Sequence, residues 1–448
     1  MAEETNINFT SGPILGPLLR FAGPILMALL LQAMYGAVDL LIVGQFASST
    51  DVSAVSIGSQ IMLTLSGLIT SLSMGITILL GEKIGAGKAN EGNRIVGSGI
   101  LMFLLIGVIV SAVVGVFAPD ISALMQAPQE AFTKTADYTR ICGIGLIMIM
   151  GYNLIGSIFR GIGDSKTPLI TVAIACVVNI LGDLLLIAVL DMGTTGAAYA
   201  TVFAQGISVI ASLLIIRRKN VPLRLSRETL RWDGGINRQI LKLGIPLALQ
   251  ETLIGISFLI VLAIVNSLGL VASAGVGVAE KVCGFIMLVP WAFMDSMAAF
   301  VAQNRGAGRP DRAITGLKQA IAISTAFGVA MFFLAFFWGD GLVHVFTHDE
   351  PVVIAGAEYL KAYAIDCLFT CFLFCFIGFF NGMECTRFVM IQGITGTFLF
   401  RVPFSFLMTE VTPVSLFHIG LANPVATVSQ ILMCLVFFCF LRKRILHK

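Results

Sequence analysis

The amino-acid sequence predicts an all-α polytopic membrane protein with twelve transmembrane helices in two pseudo-symmetric bundles of six. Three observations predict this fold class: an apolar composition, twelve apolar stretches of membrane-spanning length, and an internal repeat. The 448 residues are 57% hydrophobic and 12% charged, with a mean hydropathy of +0.95. Because an ordinary soluble domain is about 25% charged, the chain carries more apolar surface than a water-soluble fold of this length could bury.

Twelve apolar stretches are long enough to cross a bilayer as α-helices, which takes about 20 residues each. The predicted spans are 18–44, 52–80, 95–118, 133–159, 168–190, 195–216, 240–267, 272–301, 315–338, 353–380, 387–408 and 418–441.

The basic residues predict which way the spans point. Most of the 28 Lys and Arg residues lie in the connections after even-numbered spans, such as "GEKIGAGKANEGNR" and "QNRGAGRPDR". The connections after odd-numbered spans have almost none, apart from Lys134 and Arg140 near the stretch 118–140. Since cytoplasmic loops carry the excess of basic residues, we predict a multi-pass protein of the cell (inner or cytoplasmic) membrane with both termini cytoplasmic.

The two halves of the chain share landmarks at a fixed offset of 221 residues. Six spans in each half put the start of both halves on the same side of the membrane, which indicates a parallel repeat. The matching segments are "GAG" at 85–87 and 306–308, "ADYTR" at 136–140 and "AEYLK" at 357–361, and "RG" at 160–161 and "NG" at 381–382.

The repeat and the charge pattern together predict the domain organisation. Residues 1–216 form an N-terminal lobe of six helices, and residues 238–448 form a C-terminal lobe of six helices. The Arg-rich stretch 217–237 is predicted to be the cytoplasmic linker between them.

Four polar residues in the first half are candidates for an ion site. Asn179 and Asp183 lie four residues apart in "VVNILGDLLL", so they share one helix face. Asp39 lies in span one and Thr201 in span six. A carboxylate near the bilayer centre costs about 2.5–3.5 kcal/mol on insertion scales, so buried acids are functional hypotheses by default.

The residue types leave more than one role open for this group. Carboxylate, amide and hydroxyl oxygens suit a small cation, so Na⁺ at Asp39, Asn179, Asp183 and Thr201 is one possibility. The carboxylates could instead bind a proton, and the alternative to both is interhelical hydrogen bonding that only holds the bundle together. The 221-residue offset places phenylalanines where Asn179 and Asp183 would recur, so the polar pair is not required by the repeated fold.

Further candidates lie on the same helices and in the second half. Pro24 removes a backbone hydrogen bond from span one and can bend it. Lys281 is expected to pair with Glu251 or Asp366, either as a structural pair or in a substrate cavity, and Arg401 is a further candidate charge partner. The candidate substrate-cavity residues are Gln32, Met34, Tyr35, Tyr199, Gln205, Glu251, Lys281 and Asp366.

Other classes of protein lack support in the sequence. The nine cysteines fall in apolar runs and the four histidines form no metal-ligand pattern, so neither a structural metal nor haem is expected. The chain has no basic tract interleaved with aromatics, so we expect no nucleic-acid partner. We also expect no enzymatic activity, because neither a catalytic triad nor a complete nucleotide-binding loop is present.

Several of these segments resemble the multidrug and toxic compound extrusion (MATE) family. They are "GPILMALLLQAMYGAVDLLIVGQ" in span one, "GEKIGAGK" after span two, "RGIGDSKTP" after span four and "QNRGAG" after span eight. The resemblance covers essentially the whole chain, and it is greatest to the bacterial DinF-like branch.

The resemblance implies a V-shaped pair of six-helix bundles that exports multiple drugs or organic cations by antiport with H⁺ or Na⁺ through alternating access. It assigns the coupling ion to Asp39, Asn179, Asp183 and Thr201, and implies that span one bends at Pro24 on protonation. It implies no cofactor beyond that ion. The expected partners are small amphipathic or cationic substrates and membrane lipids, and the expected state is a monomer. The alternative is a flippase of the same superfamily for lipid-linked oligosaccharides or other lipids.

Overall fold

A computed structural model describes residues 7–219, 222, 223, 226 and 228–446, with side chains described through residue 443. Part of the predicted linker 217–237 therefore lies outside the described residues. The described helices are α1 (Leu15–Phe46), α2 (Ser49–Gly85), α3 (Ala89–Val116), α4 (Ala118–Leu124), α5 (Phe132–Ile144), α6 (Leu146–Gly161), α7 (Lys166–Asp183), α8 (Gly193–Arg218), α9 (Gly234–Asn266), α10 (Leu270–Ile286), α11 (Leu288–Gly306), α12 (Pro310–Phe337), α13 (Gly339–His344), α14 (Glu350–Gly382), α15 (Thr386–Thr395), α16 (Val402–Thr409), α17 (Leu416–Gly420) and α18 (Ala422–Leu446). Two π-helical segments, Leu184–Val189 and Gly396–Arg401, extend α7 and α15.

Within the described residues, eleven helical spans are long and apolar enough to cross a membrane, and the bent pair α5 and α6 brings the number to twelve. The predicted set of twelve spans is thus confirmed. The bend of 49° in the fourth span falls at Gly145. A side chain there would meet Val202 of α8 at 2.4 Å, so only glycine fits this close approach.

A buried acid fixes one end of the helices in the first half. Ser48 and Asp51 form a capping box at the start of α2, in which each side chain bonds the other's backbone N–H. Asp51 also accepts a hydrogen bond from the hydroxyl of Thr194, at the start of α8. It forms an ion pair with Lys134 of α5, in which the nitrogen and oxygen are 2.8 Å apart. One carboxylate therefore ties together three helices.

A second buried acid fixes the other end of the same helices and explains the segment "RGIGDSKTP". Asp164 accepts hydrogen bonds from the backbone N–H groups of Lys166 and Thr167, so it satisfies two free donors at the start of α7. Lys219, which follows α8, donates to the same carboxylate at 2.6 Å. The start of α7 is thus bound to the end of α8.

The chain folds into two compact units. The first comprises Gly23–Ile245 and the described residues before Phe9, and the second comprises Phe9–Ala22 and the described residues from Pro246 onward. The helices α1 and α9 therefore each begin in one unit and continue in the other. The first unit contains the ion-site candidates. In the second, α14 is central, and its buried Tyr359 and Leu360 pack with Val276 of α10 and Ile419 of α17.

Candidate functional site

The polar residues of the first unit come together inside the membrane-spanning helices. Asp39 of α1 is 4% exposed, Asn179 of α7 is 1% exposed and Asp183 is fully buried. The carboxyl groups of Asp39 and Asp183 are close enough to interact electrostatically. Two acids that are distant in the sequence thus form one buried pair.

Most oxygen atoms of this group have no protein partner. Neither carboxylate oxygen of Asp183, nor Oδ1 of Asp39, nor Oδ1 of Asn179 has a hydrogen bond within the described part of the chain. A buried charge without compensation is expensive, whereas a proton or a bound cation removes that cost. The arrangement therefore fits a site for a single positive charge.

The local structure of α7 explains how these groups meet. Asn179 and Asp183 are one helical turn apart, and the π-helical segment Leu184–Val189 begins directly after Asp183. Such π-bulges are rare and occur often at functional sites. Gly182 lets α7 approach α8 closely, because a side chain there would meet Ala200 Cβ at 3.0 Å. Thr201 follows Ala200 and lines the same cavity as Asn179.

A small cavity adjoins the ion-site candidates. It provides about 10 Å³ for the centres of water molecules, roughly the room that one water needs. The Gln32 side-chain amide donates a hydrogen bond of 2.9 Å to the Tyr152 hydroxyl at this cavity. The lining residues are Gln32, Tyr35, Tyr152, Val172, Ala175, Asn179, Thr201, Ala204 and Gln205.

The structure separates the predicted substrate residues of the first half into two groups. Gln32, Tyr35 and Gln205 line the cavity. Met34 and Tyr199 do not line it, and they are 50% and 48% exposed on α1 and α8. Tyr152 was not among the predicted residues. Its polar hydroxyl in an apolar span was the available signal.

In the second half, the expected pairing of Lys281 is wrong. Among the residues that the structure describes, Lys281 forms no ion pair with Glu251 or Asp366, and both Lys281 and Glu251 are exposed. The Asp366 carboxylate is buried and accepts a hydrogen bond of 3.0 Å from Thr370, one turn along α14. Spacing could not foresee this, because it does not say which face of α9 or α10 turns outward.

Arg401 makes a different set of contacts in the second unit. Its Nη1 donates to Ser257 Oγ at 3.1 Å, and its guanidinium carbon lies 4.2 Å from the ring centroid of Phe258. Both partners are on α9, and the second is a cation–π contact. Arg401 thus joins the end of the π-helical segment Gly396–Arg401 to α9.

Membrane-spanning helices arranged as two repeats, with a buried acid pair in one of them, are typical of a membrane transporter. The MatE family model matches the chain twice, at residues 24–185 and 246–407. The chain belongs to this family, the MATE transporters, and is therefore a multi-pass membrane transporter and not an enzyme. Both matches start at a proline, Pro24 and Pro246, which confirms the predicted repeat.

The curated relatives cover nearly the full length of the chain. A probable multidrug resistance protein of Bacillus subtilis, YpnP, is 28% identical over 409 residues, which is 90% of each chain. The multidrug export protein MepA of Staphylococcus haemolyticus is 23% identical over 405 residues, or 90% of this chain and 89% of the relative.

Solved structures share the fold. A crystal structure of a MATE transporter in complex with MaL6 has a TM-score of 0.90 at 19% identity and covers 98% of both chains. An outward-facing conformation of a multidrug resistance MATE family transporter has a TM-score of 0.89 with the same coverage and identity.

Proposed function

We propose that this transporter expels drugs or organic cations from the cell by antiport with H⁺ or Na⁺, in the cell membrane and with both termini cytoplasmic. The observation that carries the proposal is the buried pair of Asp39 and Asp183, whose oxygens have few protein partners. The names of the relatives as multidrug resistance and export proteins support the substrate class.

The acid pair gives a physical reason for ion coupling. Two adjacent carboxylates that are both charged and buried repel each other, so the pair favours taking up one positive charge. With an ion bound, the acid pair is therefore stable while it is shielded from water. Without the ion, shielding the charged pair from water costs free energy. Substrate binds beside the acid pair, at a stage when the bound ion can leave to water. Substrate and ion then compete for the same region of the protein, and antiport requires this competition.

Both coupling ions are compatible with the group. A proton shared by Asp39 and Asp183 neutralises one charge without further ligands. Sodium needs several oxygen ligands, which the two carboxylates, the Asn179 amide and the Thr201 hydroxyl can supply. The described residues contain no cluster of three or more His, Cys, Asp or Glu residues for a metal ion, so a monovalent ion suits the group better.

We place substrate binding at the cavity beside the proposed ion site. Gln32, Tyr35 and Gln205 offer hydrogen-bonding groups and an aromatic face, which suit organic cations. At about 10 Å³ the cavity is too small for a drug in this conformation. A substrate therefore enters only when the helices around it separate, which alternating access provides.

The test is efflux of a fluorescent organic cation from proteoliposomes with imposed Na⁺ or H⁺ gradients, each applied alone. We expect one gradient to drive efflux and the Asp183→Asn protein to lose the gradient-driven part. Efflux that is independent of both gradients, or equal in the variant, would overturn the proposal.

A further inference from the structure

Residues 9–14, which directly precede α1, belong to the second unit. Phe9 is fully buried, and its ring packs edge-on against Phe21 of α1 and Phe300 of α11, at centroid distances of 5.1 and 5.4 Å. Edge-on aromatic pairs of this geometry stabilise a packed core beyond the area that they bury. This seat places the backbone of residues 9–13 beside the start of α12.

One arginine binds most of that backbone. Arg312 donates from Nε to the Phe9 carbonyl at 2.8 Å and from Nη1 to the Gly12 carbonyl at 2.7 Å. Its Nη2 donates to the carbonyls of Ser11 and Pro13 at 2.9 and 3.1 Å. A guanidinium has five donors in a fixed planar fork, so it can hold these four carbonyls at once, whereas a lysine ammonium has only three donors on a single atom.

Two neighbours complete the set. Arg309 donates to the Thr10 carbonyl at 2.7 Å, and the buried Asn304 amide donates to the Phe9 carbonyl at 3.2 Å. Gly12 has a φ of +70°, a conformation that favours glycine and turns the segment around the guanidinium. We name Asn304, Arg309 and Arg312 with the backbone of residues 9–13 the N-terminal clasp.

The start of α9 is held in the first unit by hydrogen bonds and an ion pair. Asp233 caps α9, and the backbone N–H of Ile236, together with the guanidinium of Arg94, holds the pKa of Asp233 below its usual value. Ser98 of α3 donates to the Asn237 side chain at 2.8 Å. The beginning of α9 is thus bound to α3 of the first unit.

Both helices therefore change unit at a proline. The unit boundary falls at Gly23 in α1 and at Pro246 in α9, and Pro24 directly follows the first of these. Proline removes a backbone hydrogen bond and localises bending at its position. Fifteen residues beyond Pro24, α1 carries Asp39 of the acid pair.

We propose that Arg312 is a positioning residue for coupled transport: the N-terminal clasp holds the start of α1 in the second unit, so that ion binding at Asp39 acts on that unit through α1. A helix with a bend transmits a displacement only if both of its ends are held. Without the clasp the ion site still fills, but the second unit no longer responds. This inference rests on the proposed antiport function.

The test compares wild type with Arg312→Ala and Arg312→Lys, using ethidium as the probe in detergent and in proteoliposomes. The dissociation constant of ethidium is measured against pH and Na⁺ concentration, because coupled sites change each other's affinity, by about 5- to 150-fold in typical cases. In Arg312→Ala, we expect ethidium still to bind with an ion-dependent affinity, because its cavity adjoins the ion site within the first unit, whereas gradient-driven efflux should fall at least about tenfold. Arg312→Lys keeps the charge without the fork, so it should remain impaired.

The matched control is Arg387→Ala, an exposed arginine of α15 without a hydrogen bond or ion pair in the described part of the chain. It should behave as wild type. If wild type shows no ion dependence, the proposed function fails. If wild type shows it and the gradient-driven efflux of Arg312→Ala matches that of wild type, the inference about Arg312 is wrong.

A cross-link gives a second test that does not depend on the stability of Arg312→Ala. Thr10→Cys and Arg309→Cys, joined by a flexible bismaleimide, should keep coupled efflux, because the clasp stays closed throughout transport. The same link should restore coupling in the Arg312→Ala protein. Loss of efflux on cross-linking, with wild type treated with the same reagent unaffected, would contradict a clasp that stays closed.

Discussion

Asp183 is the residue on which the proposed ion site depends most. It is fully buried, both of its carboxylate oxygens lack protein partners in the described structure, and it is adjacent to Asp39. The spacing of Asn179 and Asp183 predicted that they share a helix face, and the structure agrees. The sequence could not show that Asp39 comes next to Asp183, because contacts between distant spans depend on how the helices pack.

Asparagine in place of either acid should abolish coupling. We expect Asp39→Asn and Asp183→Asn each to lower gradient-driven efflux at least about tenfold, the effect of about 1.4 kcal/mol, because the amide cannot carry the charge that binds the ion. Thr201→Ala should have a smaller effect, since a hydroxyl supplies one neutral ligand. Efflux of a fluorescent cation per folded transporter is the measurement. The exposed Asp340→Asn is the control, and loss of efflux there would point to a general effect of lost acids.

The ion pair of Asp164 and Lys219 should stabilise the fold without taking part in transport. Asp164 is 1% exposed and is bound by Lys219 at 2.6 Å. We expect Asp164→Ala and Lys219→Ala each to lower the Tm in detergent, with a coupling energy of about 0.5–3 kcal/mol in a double-mutant cycle. Efflux per folded molecule should stay near wild type. Additive losses would show that the two groups do not interact.

At the scale of the elements, close helix packing depends on particular glycines. In the first unit, a side chain at Gly244 of α9 would meet the Leu72 carbonyl oxygen at 2.4 Å, and one at Gly75 of α2 would meet the Ile240 carbonyl oxygen at 2.5 Å. The two helices therefore cross backbone to backbone, just before α9 reaches Pro246. The abundance of glycine predicted close packing in general, but could not say which glycines face a neighbouring backbone.

Gly244→Ala should separate α2 and α9 at this crossing. Because the obstacle is backbone, we expect a loss of about 1–3 kcal/mol, seen as a lower Tm in detergent. Gly255→Ala is the matched control on the same helix, since nothing lies within 4 Å of the added methyl group. There the gain in helix propensity, about 1 kcal/mol, should leave the Tm unchanged or higher. Equal effects at the two positions would argue against the crossing.

The elements also show which parts of the fold were predictable. Apolar length predicted the twelve spans, because the bilayer fixes how long a helix must be. The bend between α5 and α6 and the π-helical segments were not predicted, since they arise from packing against neighbouring helices. The N-terminal clasp was missed for another reason: Arg312 binds backbone carbonyls, which every residue has, so the segment it holds bears no distinctive pattern.

At the scale of the whole molecule, the proposed mechanism rests on the repeat and on the acid pair of the first unit. The MatE family model matches both halves, yet the 221-residue offset of the shared landmarks places Phe400 and Phe404 where Asn179 and Asp183 would recur. The coupling site is therefore proposed for the first unit alone. Because α1 begins in the second unit and continues in the first, and α9 does the opposite, each helix connects the two units through its own backbone. The helix α1 therefore links the proposed ion site to the second unit. The fixed offset in the sequence located the repeat. It could not show that α1 and α9 each begin in one unit and continue in the other, because the unit to which a helix segment belongs depends on how the helices pack.

We propose that one ion site in the first unit drives export, and the sharpest experiment lets an ethidium gradient drive the ion instead. Proteoliposomes are loaded with ethidium, with no initial gradient of H⁺ or Na⁺, and the flux of each ion is followed as ethidium leaves. We expect ion movement opposite to ethidium for wild type and none for Asp183→Asn. Ethidium movement without any ion flux in wild type, or unchanged ion flux in the variant, would contradict it.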